Sequence, residues 1–168
     1  MKDSQHFADA NRMGDKFAIS KATERDVLNK VAAKFAESTM EGIDFIFDML
    51  IEHGTYEHSR VSKQRFKDYV LDITKDVREQ EVDILLKTHV LLQGKDYIEL
   101  SDFRALFEGP VQMAKHRKVE ELAEALKKEG VNALPYHAGL DKSVRDTNQD
   151  RFQQEDGVVM TATVAFGM

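Results

Sequence analysis

The sequence predicts a mainly α fold, a pair of helical units followed by a small α/β tail, and three observations predict it. Through most of the first 110 residues, apolar side chains recur at i, i+4 spacing, the period of a helix with one buried face. Those helical stretches come in two pairs, each interrupted by about a dozen residues with a single β-branched residue near the middle. Near the end, Val158 to Val164 is an uncharged, β-branched run, the composition of a strand buried in a parallel sheet. The expected parts are a polar leader over 1–21, a helical module over 22–110 and an α/β segment over 111–168.

The elements follow in order. Thr23, Val27, Val31 and Phe35 share one face of a first helix. Ser38 or Thr39 is a candidate cap for the next, which carries Ile43, Phe45, Ile46, Phe47, Met49, Leu50 and Ile51 and stops at Gly54. Ser62 is the expected N-cap of KQRFKDYVLDI, whose apolar face is Phe66, Tyr69, Val70 and Ile73. A helix from about Arg78 carries Val82, Leu85 and Leu86, and Gly94 breaks it. Ser101 is the expected cap of a short helix with Phe103, Leu106 and Phe107, ended by Gly109-Pro110. In the tail, Val119, Leu122, Ala123 and Leu126 make an amphipathic helix ended by Gly130. A strand over 132–137, a helix over 144–152 and the strand from Val158 complete a βαβ-like unit.

Composition bounds the function. A chain of 168 residues forms one ordinary domain or two small ones. A net charge of −6 with no basic stripe argues against a generic nucleic-acid binder. With no cysteine, disulfides, thiolate zinc sites and cysteine nucleophiles are excluded. The opening MKDSQHFADANRMGDKF lacks the apolar core of a secretory signal, and no apolar run reaches the roughly 18 residues that span a bilayer. An intracellular, cytoplasmic protein is expected, with nucleoid or nuclear association open.

The repeated spacing carries the first resemblance. GTYEHSRVSKQRF (Gly54 to Phe66) and LLQGKDYIELSDF (Leu91 to Phe103) overlay without gaps, aligning Val61 with Ile98 and Phe66 with Phe103. This pattern, over roughly Ala22 to Phe107, resembles a pair of EF-hands, whose central aliphatic residues pair across a short ribbon. A calcium loop needs oxygen donors at positions 1, 3, 5 and 12. The first loop offers Gly54, Tyr56, His58 and Arg65, and the arginine repels the ion where a bidentate carboxylate is needed. The second offers Leu91, Gln93, Lys95 and Asp102, a single carboxylate. No metal and no cofactor are expected. His53 and His58, flanked by Glu52 and Glu57, read as a solvated turn.

EF-hand pairs without calcium survive as binding or dimerising units, so the resemblance implies a protein partner, a helix held in a groove, or self-association. The groove requires several of Phe45, Phe47, Met49, Phe66, Phe103 and Phe107 to be exposed together; otherwise they form the core.

The stretch KVEELAEALKKEGVNALPYHAGLDKSVRDTNQDRFQQEDGVVMTATVAFGM, residues 118–168, carries the second resemblance. With its YHAGL (Tyr136 to Leu140) and ATVAFGM (Ala162 to Met168) segments, it resembles the second motor lobe of RecQ-type DNA helicases. That resemblance implies a loop at a strand end for His137 and Gly139, and a place near the DNA and nucleotide cleft for Thr163, Phe166 and Gly167. Ahead of Lys118 the family has a strand and a short turn, where this chain reads EGPVQMAK. No G-x-x-x-x-G-K-[ST] phosphate loop, no Asp-Glu-x-His site and no arginine-finger motif occurs. The first motor lobe's place is taken by the helical module, so no catalytic residue is assigned. The expected function is a non-enzymatic helical interaction module carrying a partial helicase segment; weak DNA association is the alternative, and a calcium-responsive protein the second. An uncharged strand without its sheet must pack on the helices, pair with a copy or stay poorly ordered. A fusion, a truncated gene or an engineered chimera would each explain the join near Pro110.

Overall fold

Helix accounts for most of the architecture in the computed structural model, which describes residues 3–38, 42–51 and 60–163. The order is α1 (Asp3–Ser38), α2 (Ile43–Leu50), β1 (Arg60–Ser62), α3 (Lys63–Ile73), α4 (Glu79–Thr88), β2 (Tyr97–Glu99), α5 (Leu100–Lys128), β3 (Asn132–Tyr136), α6 (Lys142–Gln154) and β4 (Val158–Ala162). The fold is mainly α, and the chain divides into two compact units, Met1–Val111 and Gln112–Met168.

In the first unit, β1 and β2 pair antiparallel with Val61 opposite Ile98, the pairing the two overlaid loops lead one to expect. Both side chains are buried and point into the core. Ser62 caps α3 as its position suggests, its hydroxyl accepting the Arg65 N–H at 3.2 Å. α4 is capped by Glu81, whose carboxylate accepts the Arg78 N–H at 2.8 Å.

The core is built on phenylalanine. Phe35 of α1, Phe47 of α2, Phe66 of α3, and Phe103 and Phe107 of α5 are all essentially inaccessible. Phe103 is the hub, with ring centroids 5.8 Å from Phe35, 5.3 Å from Phe47, 6.3 Å from Phe66 and 5.0 Å from Phe107. Val27, Val31, Ala32 and Phe35 form the buried stripe of α1. A polar contact fixes the same helix against α4. The Thr88 hydroxyl donates to the Glu24 carboxylate, which also takes the Lys21 ammonium at 2.9 Å. Burial alone pushes the Glu24 carboxyl up, but the Thr88 and Lys21 hydrogen bonds and the Lys21 charge outweigh it, leaving a net downward shift.

Several boundaries differ from the sequence reading. The polar leader is helical, α1 starting at Asp3; residues 3–20 hold no proline and many good helix formers. Ser38 is the last residue of α1, its hydroxyl returning to the Lys34 carbonyl at 2.7 Å, so it caps nothing that follows. The N-cap of α2 is Gly42, at φ 101°, a conformation glycine adopts without steric cost. Ser101 lies inside α5, where Asp102 caps instead, accepting the Glu99 N–H at 3.2 Å. Gly109-Pro110 does not end the helix, for α5 continues to Lys128. Proline removes one hydrogen bond at a cost of about 3 kcal/mol. Leu106, Phe107 and Val111 around it are buried, each such burial contributing about 1.5–3 kcal/mol, so continuing the stripe wins. Thr39 and residues 52–59, which include His53, Gly54, Tyr56 and His58, lie outside the described residues, as do Val164, Phe166 and Gly167.

In the second unit, β3 and β4 pair parallel in the register Asn132 opposite Val158 through Tyr136 opposite Ala162, with α6 as the crossover. The final strand thus finds its partner inside the unit. α5 ends in a Schellman turn at Gly130 (φ 84°), the Val131 N–H reaching the Leu126 carbonyl at 3.0 Å and the Gly130 N–H the Lys127 carbonyl at 3.0 Å. The segment Glu108 to Lys115, where the resemblance implied a strand, is helical. Among the described residues, no helix is long and apolar enough to cross a membrane.

The hub position makes a direct prediction. Phe103→Ala should lower unfolding free energy by about 3–5 kcal/mol in a urea titration, whereas Phe45→Ala, at a side chain 42% exposed, should cost well under half of that.

Candidate functional site

Two clusters carry chemistry, one in each unit. The first is the pair of loops that join the helices at the β1–β2 ribbon. Of the four candidate positions in the first loop, only Arg65 is described. Its Nε donates to the Leu50 carbonyl at 2.5 Å, placing a cation against the carbonyl end of α2. In the second loop the four candidate ligands do not converge. Leu91 presents an apolar side chain packed against the core, and its N–H goes to His89 Nδ1 at 3.3 Å. The Gln93 amide turns back to the Thr88 carbonyl at 3.1 Å, closing the end of α4. Lys95 and Asp102 do meet. The ammonium lies 2.7 Å from Asp102 Oδ1 and 2.8 Å from Oδ2, and Asp102 is only 6% exposed. The carboxylate at the twelfth position is therefore bidentate, but toward the chain's own lysine. Among the described residues, no cluster of three or more His, Cys, Asp or Glu side chains could hold a metal ion.

The second cluster sits at the end of β3. His137 is buried, and its Nδ1 accepts the Gly139 N–H at 3.2 Å. That contact requires an unprotonated Nδ1, so in the neutral ring Nε2 carries the proton and donates to Glu120 Oε1 at 3.1 Å. The His116 ring of α5 stacks on His137, centroids 4.4 Å apart and planes 20° from parallel. A methyl group on Gly139 would lie 2.7 Å from His116 Nδ1, so only glycine fits the loop beneath that ring. Burial and the neighbouring His137 push His116 below the ordinary histidine range, against an opposing pull from Glu120. Around this clasp, the Asn148 amide donates to the Pro135 carbonyl at 2.9 Å, and buried Thr161 Oγ1 donates to the Val119 carbonyl at 3.0 Å. These bonds tie α6, β4 and α5 to one strand. Thr163 follows β4 directly and is half-buried.

Sequence reasoning singled out His137 and Gly139 but missed His116 and Glu120. Their spacing, i and i+4, places both on one face of a helix that also reaches Lys118. Ending the helix at Pro110 hid that signal.

The comparisons with known proteins bear on a limited stretch. The chain is 42% identical over 60 residues to the ATP-dependent DNA helicase RecQ of Haemophilus influenzae, 36% of this chain and 10% of that protein. It is 51% identical over 51 residues to the enzyme of the same name from Pasteurella multocida, 30% of this chain and 8% of that protein. It is 43% identical over 61 residues to the RecQ-like DNA helicase BLM of Xenopus laevis, 36% of this chain and 4% of that protein. About a third of the chain is therefore similar to RecQ-type helicases, and the chain spans a tenth or less of the length of these relatives. No family model matches the sequence, and no solved structure matches it.

The histidine clasp makes two predictions. Gly139→Ala should push His116 off His137, visible as large chemical-shift changes at both rings in NMR spectra, with hydrogen exchange rising from Tyr136 to Leu140. The clasp should also weaken in acid. Its His116 binds a proton less readily folded than unfolded, so its contribution is full above the ordinary pKa of 6.5 and is lost progressively as pH falls below it. Hydrogen-exchange protection of the loop should drop between about pH 7.5 and 5.5, and His116→Phe should flatten that dependence.

Proposed function

We propose that the chain acts as a non-enzymatic helical interaction module of EF-hand type, independent of calcium, carrying a segment akin to part of the second RecQ motor lobe. The likeness of the helical unit to an EF-hand pair stands on its geometry: two helix–loop–helix units joined by the Val61–Ile98 ribbon. The observation that carries the interaction role is the seating of α1. Its Val27, Val31, Ala32 and Phe35 are fully buried, with Phe35 5.0 Å from Phe107 and 6.2 Å from Tyr69 by ring centroids. The amphipathic α1, with apolar residues at i, i+4 and i+8, is thus seated along α4, with Phe35 reaching the rings of α3 and α5, a helix supplied here in cis. Of the side chains considered for an open groove, Phe47, Phe66, Phe103 and Phe107 are buried in the core, Phe103 and Phe107 against Phe35 of α1, and only Phe45 and Met49 are exposed. A partner helix on this reading exchanges with α1 and does not enter an empty cleft.

The reading assigns no ATP hydrolysis to these residues, because the 168 residues contain no phosphate-loop pattern to cradle a triphosphate. A second reading, DNA association through the helicase-like segment, rests on the relatives named above, which are DNA helicases. The net charge of −6 opposes it.

The test uses a labelled peptide of residues 21–38 and the full chain. Phe35→Leu and Val31→Ala, which loosen α1, should bind the peptide at least about tenfold more tightly than the parent does, by the population argument for an occluded site. Folded variants that bind the peptide no better than the parent would remove the reading. A labelled single-stranded oligonucleotide, measured by anisotropy at about 50 and about 200 mM salt, decides the second reading.

A further inference from the structure

The second loop has the outline of a metal loop with its strongest position occupied. Asp102 closes the loop, is almost wholly buried, and both of its oxygens are engaged by Lys95 Nζ, at 2.7 and 2.8 Å. The same carboxylate accepts the Glu99 N–H at 3.2 Å at the start of α5. We propose that the Lys95 ammonium is the resident cation of this loop, a built-in latch that takes the place of a divalent ion and makes loop closure depend on the charge of one lysine.

The chemistry follows from the neighbours. A buried carboxylate left without a cation is costly, because water no longer solvates it and nothing else neutralises it. The remaining loop positions cannot replace the lysine: Leu91 carries no side-chain donor, and the Gln93 amide is spent on the Thr88 carbonyl. A divalent ion added from outside would therefore find one carboxylate and no cage, far short of the six to eight oxygens that calcium takes. The first loop follows the same logic, since the Arg65 guanidinium at its twelfth position reaches the Leu50 carbonyl.

The latch connects to the proposed interaction role, on which this part of the inference rests. Asp102 adjoins Phe103, the ring against which Phe35 of α1 packs at 5.8 Å. Ile98, three residues after Lys95, is buried opposite Val61 in the ribbon. Opening the loop frees the first turn of α5 and the ribbon together, and so loosens the seat of α1. The Lys95 side chain is 42% exposed, so its charge is open to the solvent side while its partner is not.

Hydrogen exchange on the full-length chain tests the latch. Lys95→Gln and Lys95→Met should speed exchange across residues 97–103 by about tenfold or more, while Lys95→Arg, which keeps the charge, should hold it near the parent rate. Asp102→Asn should do the same as Lys95→Met, and the double variant should be no worse than either single one. Millimolar calcium should change none of these rates. Unchanged exchange in Lys95→Gln, an opened loop in Lys95→Arg, or additive effects in the double variant would overturn the latch. The peptide of residues 21–38 supplies a separate readout. If Lys95→Gln opens the loop without raising peptide binding, the latch stands and the helix-exchange reading fails.

Discussion

Packing around Phe103 is the constraint on which the helical unit depends. Its ring touches phenylalanines from α1, α2, α3 and α5, so no helix pair can bury its own apolar stripe without the others. A short helix such as α2, eight residues long, has little stability in isolation. It persists because Ile46, Phe47 and Leu50 are carried into a shared interior. The Val61–Ile98 ribbon belongs to the same interior, for two three-residue strands would not pair alone. The ring cluster also explains why α1 is part of this unit: without Phe35, one side of Phe103 and Phe107 would face water.

Charge is used in this unit as a fastener. Lys95 is held on Asp102, and Arg65 on the Leu50 carbonyl. Lys63 extends the pattern, its ammonium joining the Leu86 and Leu92 carbonyls at 3.0 and 2.6 Å. These contacts differ from exposed surface pairs such as Lys142 with Asp146, which water screens to little net value. Asp102 is buried, so its partner has a defined task. The histidine clasp of the second unit works the opposite way, through neutrality. One imidazole lies on another, and His137 Nδ1 accepts a backbone N–H, a contact that needs a lone pair on that nitrogen.

The likeness to RecQ-type helicases covers a third of the chain and a small share of each relative. Its structural content is one parallel strand pair, one crossover helix and the loop bearing His137 and Gly139. Glu108 to Lys115 is helical, and the same helix α5 brings His116 and Glu120 to the neighbourhood of that loop.

The sequence by itself determined what depends on local periodicity and chemistry. It was enough for the helical class, for Ser62 as the cap of α3, for the strand–helix–strand order of the tail and for the pairing of Val61 with Ile98, because each follows from spacing along the chain. Tertiary structure decided the rest. Gly109 and Pro110 signal a stop locally, yet buried side chains on either side carry α5 through them. Whether Phe45 and Phe47 face water or core turns on which neighbours meet, as does the meeting of Lys95 with Asp102 or His116 with His137. Such contacts are fixed by distances across the fold, which spacing along one strand or helix does not contain.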